Sequence, residues 1–103
     1  MNRLNIIDQG AGRYLIEGDL TFATIDKRTV NAMNFLAAAK EITIDLSQVA
    51  NTDSAGLALM IEWIKYSRVK RTQLRFTHVP KQLLSLARLS GFDKDAHFAV
   101  HLA

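Results

Sequence analysis

The chain has 103 residues, of which 49% are hydrophobic and 22% charged, and it contains no cysteine. A chain of this length and composition forms a single globular domain, 1–103, with a core of its own. The absence of cysteine excludes disulfides and thiolate chemistry. No apolar run approaches membrane-spanning length, and the N-terminal residues lack the apolar segment of a secretory signal. We therefore expect a cytoplasmic domain without direct membrane insertion.

The formal net charge of +3 is unevenly distributed along the chain. Residues 54–92 carry seven basic side chains and one acidic side chain, whereas residues 1–53 carry five basic and seven acidic ones. The basic run from Lys65 to Arg75 could attract an acidic protein, lipid headgroups or nucleic acid. The same cations would also be favourable at the negative C-terminal end of a helix. A series of aromatic stacking platforms does not accompany them, so we expect no nucleic-acid partner.

The first half of the chain predicts a hairpin followed by a helix. Leu4 to Asp8 and Arg13 to Glu17 have strand-like patterns, and the glycines of residues 9–12 suit the turn between them. Gly18 to Thr21 should end the second strand. Apolar residues at helical spacing then predict a helix from about Thr24 to Ala39, with Ile25, Ala32, Leu36 and Ala39 on one face.

The second half predicts two strands that alternate with two helices. In order, these are a strand over Ile42–Leu46, a polar connection at Asn51–Asp53, a helix over Ser54–Val69 and a strand over Thr72–Val79. The last helix should have Pro80 in its first position and stop at Ser90-Gly91-Phe92. It should bury Leu83, Leu84 and Ala87. The order β-β-α-β-α-β-α predicts an α/β (α+β) fold. We expect a mixed sheet of about four strands, parallel pairs with right-handed crossovers, and three to four helices.

The helix over Ser54–Val69 carries two apolar stripes. One consists of Leu57, Met60, Ile61 and Ile64, which follow core spacing, and the other consists of Ala55, Leu59, Trp63 and Tyr66 on roughly the opposite side. The second stripe could be partly exposed to a partner, since contiguous exposed apolar side chains mark interaction sites. Alternatively, Trp63 packs on a neighbouring helix of the same domain.

The segment D-S-A-G-L, Asp53 to Leu57, lies where a strand leads into a helix. The first N–H groups of a helix lack intrahelical partners and carry the positive end of its dipole. Asp53 suits the N-cap position, and Ser54 would then display a hydroxyl at the end of the sheet. Ala55 and Gly56 keep the first turn slim, which would admit either the backbone of a partner or close packing within the fold.

Catalytic and metal-binding arrangements are weak in this sequence. Asp53 adjoins Ser54, but a carboxylate beside a hydroxyl without histidine makes a poor catalytic dyad. His97 and His101 lie four residues apart, yet no third ligand is placed near them. The two glycines at Gly10 and Gly12 open no helix and so form no phosphate-binding loop. We expect no enzymatic activity, metal, cofactor or small-molecule substrate.

Four motifs together resemble a STAS domain, the fold shared by sulfate-transporter tails and anti-sigma-factor antagonists. The motifs are G-D-L-T at 18–21, I-D-L-S-Q-V from Ile44, D-S-A-G-L from Asp53, and L-A-R-L-S-G-F at 86–92. Within this family, the chain is most similar to the small STAS subunits of bacterial Mla-type phospholipid ABC transporters. The resemblance covers nearly the whole chain.

The resemblance implies that Ser54 is the functional residue and that the start of the second predicted helix meets a partner. The implied site comprises Asp53, Ser54, Ala55, Gly56, Leu59 and Trp63. By resemblance, the partner is the cytoplasmic ATPase subunit of the transporter, and the protein is a non-catalytic accessory subunit, peripheral to the inner membrane through that partner. The alternative is an anti-sigma-factor antagonist in which a kinase phosphorylates Ser54. The transporter subunits usually have threonine where this chain has Ser54.

Overall fold

The structure, a computed structural model, describes residues 3–27, 29 and 34–91. Four strands form one sheet in the order β1-β2-β3-β4: β1 (Asn5–Gly10), β2 (Arg13–Leu20), β3 (Glu41–Thr52) and β4 (Gln73–Thr77). β1 is antiparallel to β2, whereas β2, β3 and β4 are parallel to one another. The helices are a 3-10 helix (Asn34–Ala37), α1 (Ser54–Val69) and α2 (Lys81–Leu89). The predicted α/β class with a mixed sheet is confirmed, but the described residues contain two α-helices and one short 3-10 helix where three to four helices were expected.

One face of the sheet is apolar because buried residues alternate along β2, β3 and β4. The register places Tyr14 beside Ile44 and Ile44 beside Phe76, so this face is continuous across the three parallel strands. α1 and the 3-10 helix add further side chains to the same core, including Leu36 and Met60. This burial of one face explains the alternation in the sequence.

β2 and β3 are longer than predicted, and the difference has a common cause. Gly18 was expected to end β2, but the strand continues to Leu20 with Gly18 in a left-handed conformation at φ 95°. β3 pairs with this extension, with a shift of register between Gly18 and Leu20. Asn51 and Thr52, predicted as a connection, therefore lie in β3. Backbone pairing with the neighbouring strand overrides the turn preference of these residues.

The predicted helix from Thr24 to Ala39 lies partly outside the described residues. Within them, its start is wrong, because Thr24 belongs to a turn in which its N–H donates to the Thr21 carbonyl at 3.1 Å. The helical segment also ends before Ala39, at the 3-10 helix Asn34–Ala37. Polar turn residues at its beginning explain the first error.

α2 begins one residue later than predicted. Pro80 is the N-cap, not the first helical residue, and it has no side-chain capping bond. Leu83 and Ala87 are buried as expected, but Leu84 is 38% exposed. Gly91 is left-handed at φ 80°, which agrees with the predicted helix end. Phe92 lies outside the described residues.

α1 packs through one broad face whose centre consists of small residues. Successive residues of a helix are about 100° apart around its axis, which places the two predicted apolar stripes on the margins of a common face. Gly56 and Ser67 lie between these margins and are buried. A Cβ atom at Gly56 would lie 2.6 Å from the Leu20 carbonyl oxygen. The helix therefore approaches the end of β2 more closely than any larger residue would allow.

Trp63 is in the core, which makes the prediction of an exposed second stripe wrong for this residue and for Leu59. Their exposed fractions are 0% and 2%. The Trp63 ring meets Phe35 of the 3-10 helix edge-on, with centroids 5.9 Å apart, and stacks on Phe76 of β4 at 6.4 Å. The alternative, in which Trp63 packs on a neighbouring helix, therefore describes the structure. Trp63 also contacts the sheet, through Phe76.

We predict that Gly56→Ala destabilises the domain although alanine favours helices. Overpacking costs about 1–3 kcal/mol, and here the obstacle is a backbone oxygen that cannot rotate away. Alanine regains about 1 kcal/mol of helix propensity. Because a backbone obstacle at 2.6 Å places the cost in the upper part of that range, we expect a net loss of about 1–2 kcal/mol in urea unfolding. Ala58→Leu, which adds bulk at an exposed position of α1, should change stability by less than about 0.5 kcal/mol. A neutral or stabilising Gly56→Ala would contradict the close approach.

We predict that Trp63→Ala lowers the free energy of unfolding by about 3–5 kcal/mol, because it empties the space between Phe35 and Phe76. Trp63→Phe should cost less, since it keeps an aromatic ring in the same place. Chemical denaturation measures both variants. A Trp63→Ala protein of nearly unchanged stability would show that the indole does not belong to the core.

Candidate functional site

Asp53 connects β3 to α1 and caps the helix. Its backbone is extended, and its Oδ1 atom accepts a hydrogen bond of 2.8 Å from the Ala55 N–H. Its own N–H donates to the carbonyl of Leu20, the last residue of β2, at 3.2 Å. The predicted N-cap is confirmed. Because Asp53 is the sole residue between strand and helix, the first turn of α1 is held against the end of the sheet.

The second carboxylate oxygen of Asp53 positions a loop that sequence reasoning did not assign to the site. Oδ2 accepts a hydrogen bond of 3.1 Å from the backbone N–H of Phe22, in the turn after β2. The Phe22 side chain is 75% exposed. Thr24 stiffens this turn, since its hydroxyl donates to the Asp19 carbonyl at 2.6 Å. One carboxylate thus holds an exposed aromatic residue beside the N-terminus of α1.

Ser54 is exposed in the first turn of α1, as predicted. Its hydroxyl makes no hydrogen bond within residues 3–27, 29 and 34–91. Ala58, one turn later, is exposed, and Ala55 is half-buried. We call Phe22, Ser54, Ala55 and Ala58 the docking face. It is a small surface in which one hydroxyl lies among short side chains and one aromatic ring.

Three of the residues implied as partner-binding do not reach this surface. Gly56 is buried against Leu20, so its small size serves packing within the fold. Leu59 and Trp63 lie in the core, with their side chains covered. Ser54, Ala55 and the partly buried Asp53 remain at the surface. An exposed loop aromatic such as Phe22 has no periodicity to reveal it, and only its position after the G-D-L-T motif could have indicated it.

The arrangement provides no activating base for Ser54 among the described residues. Both carboxylate oxygens of Asp53 are engaged by backbone N–H groups. The described histidine, His78, lies at the end of β4, where its Nδ1 is 3.3 Å from Asp45 Oδ1. Burial raises the pKa of Asp45, but hydrogen bonds from Ser47 and the nearby His78 outweigh it and hold the pKa below its ordinary value. His97 and His101 lie outside the described residues.

The described part of the chain offers neither a metal site nor a membrane-spanning helix. No group of three or more His, Cys, Asp or Glu side chains there is arranged to hold a metal ion. None of the helices described there is long and apolar enough to span a bilayer.

Comparison with solved structures identifies proteins of similar fold. The anti-sigma factor antagonist SpoIIAA in its unphosphorylated form has a TM-score of 0.56 and 10% sequence identity, over 84% of this chain and 82% of that one. A sulfate transporter family protein from Wolinella succinogenes has a TM-score of 0.63 and 16% identity, over 95% and 80%. SLC26A9 has a TM-score of 0.62 and 17% identity over 88% of this chain, which spans only 18% of that protein.

At these identities the structural similarities show a shared fold, and the family follows from the sequence itself. No curated protein sequence matches the chain. The family profile described as "Mlab, STAS domain" matches residues 9–102, which include the docking face, β2, β3 and β4 and the last two residues of β1. The chain therefore belongs to the STAS domain family of this MlaB type.

Proposed function

We propose that this protein is a non-catalytic accessory subunit that binds the cytoplasmic ATPase subunit of an Mla-type phospholipid ABC transporter through its docking face. The observation that carries the proposal is the exposed, unengaged hydroxyl of Ser54 at the N-terminus of α1. Membership of the MlaB-type family gives the class of partner. ATP and the lipid belong to the partner complex, and the protein would be peripheral to the inner membrane through that complex.

The geometry of the docking face supports a protein partner over a substrate. Ser54 and Ala58 lie one turn apart on the exposed side of α1, so another backbone can approach the helix closely. Phe22 adds an exposed aromatic ring, a side chain that is enriched in protein interfaces. Its backbone is already held by Asp53, so a partner that covers the ring needs to order only the side chain.

A regulatory role is also supported by what Ser54 lacks. Nucleophilic catalysis needs a base within hydrogen-bonding reach, and the nearest carboxylate, Asp53, is occupied by two N–H donors. STAS domains are generally non-catalytic regulatory domains, in agreement with this geometry. A serine hydrolase would be labelled by an active-site serine reagent, and we expect no labelling.

The alternative function, an anti-sigma-factor antagonist, uses the same exposed hydroxyl as a phosphate acceptor. Purification of the protein from its native cells separates the two functions. Recovery of an ATPase together with membrane subunits supports the transporter role. Stoichiometric phosphate on Ser54 in the intact mass, with a kinase as the recovered partner, would replace it with the signalling role.

We predict that Ser54→Glu weakens ATPase-subunit binding at least about tenfold, or about 1.4 kcal/mol, while the fold is retained. A carboxylate is favourable near the positive end of a helix dipole, but the partner surface would have to desolvate it. Titration calorimetry measures binding, and circular dichroism measures the thermal midpoint. Ser54→Thr keeps the hydroxyl and should bind normally. If Ser54→Glu unfolds the domain, Ser54 has a structural role. If the variant binds the ATPase subunit normally, the partner does not bind through the docking face.

We predict that Asp53→Ala releases both the helix N-terminus and the Phe22 turn. Loss of an N-cap costs about 0.5–2 kcal/mol, and amide hydrogen exchange should become faster at Ala55 and Phe22. Ser54→Ala is the matched control, because its hydroxyl holds neither amide, and it should leave both exchange rates unchanged. Unchanged protection of Phe22 in Asp53→Ala would show that the carboxylate does not position this turn.

A further inference from the structure

The end of α1 remote from Ser54 has a concentration of exposed cations. α1 and α2 each follow a strand of the parallel part of the sheet. Both helices therefore run back towards the end of the sheet at which β3 and β4 begin. The last turn of α1 and the start of β3 meet there. We call this surface the basic end, and it consists of Lys40, Arg68, Val69, Lys70 and Arg71, all exposed.

The cations of the basic end are not needed to cap α1. The last carbonyls of the helix already accept backbone N–H groups: those of Tyr66, Arg68 and Ser67 bond to the N–H groups of Lys70, Arg71 and Thr72. None of the four basic side chains forms a salt bridge with a carboxylate in the described ranges. Their charge is therefore directed mainly to solvent.

Three of these cations converge on one surface feature. Lys40, Lys70 and Arg71 line a shallow, open hollow together with Gln73, and Glu41 is the acidic residue in its lining. Cations that face a common hollow create a local positive potential, which attracts anionic groups more strongly than the same charges spread over the surface. The ligand indicated by this arrangement is anionic.

Exposed aliphatic residues distinguish this surface from a simple basic patch. Val69 is 78% exposed between Arg68 and Lys70. Leu89, in the last turn of α2 beside Arg88, is 84% exposed. Aliphatic side chains bordered by cations suit a bilayer interface, where the cations approach anionic headgroups and the apolar groups enter the boundary below them.

Nucleic acid fits the basic end less well than lipid does. Recognition of single strands uses exposed aromatic rings for stacking, and Tyr66, the aromatic residue nearest along α1, is half-buried. Lys70 already lies over its ring, with Nζ 5.7 Å from the centroid. The exposed apolar residues of this surface are aliphatic, and aliphatic side chains provide no ring on which a base could stack.

We propose that the basic end binds the anionic headgroup surface of a lipid bilayer as a peripheral contact. The interaction is electrostatic, with Val69 adding shallow apolar contact. The 16 residues of α1 separate this surface from Ser54 by about 24 Å. The docking face therefore stays free, and the proposal does not depend on the identity of the partner that binds there.

Vesicle co-sedimentation of the full chain tests the proposal. The protein should bind vesicles of mixed phosphatidylcholine and phosphatidylglycerol, bind weakly to phosphatidylcholine alone, and be released by salt. The triple variant Lys40→Gln, Lys70→Gln and Arg71→Gln should lose about 100-fold in partitioning, at about fivefold per cation. Arg3→Gln, Lys27→Gln and Lys81→Gln together remove the same charge away from the hollow and should lose much less. Circular dichroism establishes that both triple variants are folded.

Val69→Ser separates headgroup contact from attraction to any polyanion. It preserves every charge, so it should weaken vesicle binding severalfold and leave retention on heparin unchanged. The proposal is overturned if the two triple variants lose binding equally, since net charge alone would then explain it. It is also overturned if the protein fails to bind anionic vesicles, including when it instead binds duplex DNA or polyglutamate.

Discussion

The close approach between α1 and the end of β2 determines the geometry at the N-terminus of α1, where the candidate site lies. At Gly56 the helix lies against the Leu20 carbonyl, in a space that no Cβ atom could share. Asp53 reinforces the contact through its N–H bond to Leu20 and its carboxylate bond to the turn at Phe22. Because Gly56 must face inward, Ser54, two residues earlier and about 200° around the helix, must face outward.

This constraint assigns a different role to each residue of the D-S-A-G-L segment. Asp53 caps and connects, Gly56 permits close packing, and Leu57 joins the core. Only Ser54 is fully exposed, while Ala55 is half-buried at the margin. The motif therefore serves mainly to pack the helix against the sheet. It exposes one hydroxyl to solvent in a defined position. In the proposed complex, a partner that recognises this hydroxyl would also meet Phe22, whose backbone N–H is bonded to the same carboxylate.

Local patterns in the sequence predicted the features that depend on local physics. The alternation of Ile42, Ile44 and Leu46 predicted a strand, and the polar residue before Ser54 predicted the N-cap. The failures arose where distant residues decide the outcome. β3 extends to Thr52 because β2 continues beside it, and Trp63 is buried because Phe35 and Phe76 enclose it. The strand that pairs with β3 and the rings that enclose Trp63 cannot be identified from residues close to them in the sequence. Phe22 was missed for the same reason, since the carboxylate that accepts its backbone N–H belongs to Asp53, far along the chain.

The two ends of α1 differ in chemistry because they lie at opposite ends of the parallel strands. At the edge where β2 and β3 end, the helix presents backbone N–H groups and a neutral hydroxyl, with Asp53 engaged by the main chain. At the opposite edge, backbone bonds satisfy the last carbonyls, which leaves the side chains of Arg68, Lys70 and Arg71 free to face outward. Since α1 is packed along its whole length between these edges, it holds the two surfaces at a fixed separation. If both proposed contacts form, the domain would act as a rigid spacer between a protein and a charged surface, since neither contact requires α1 to move.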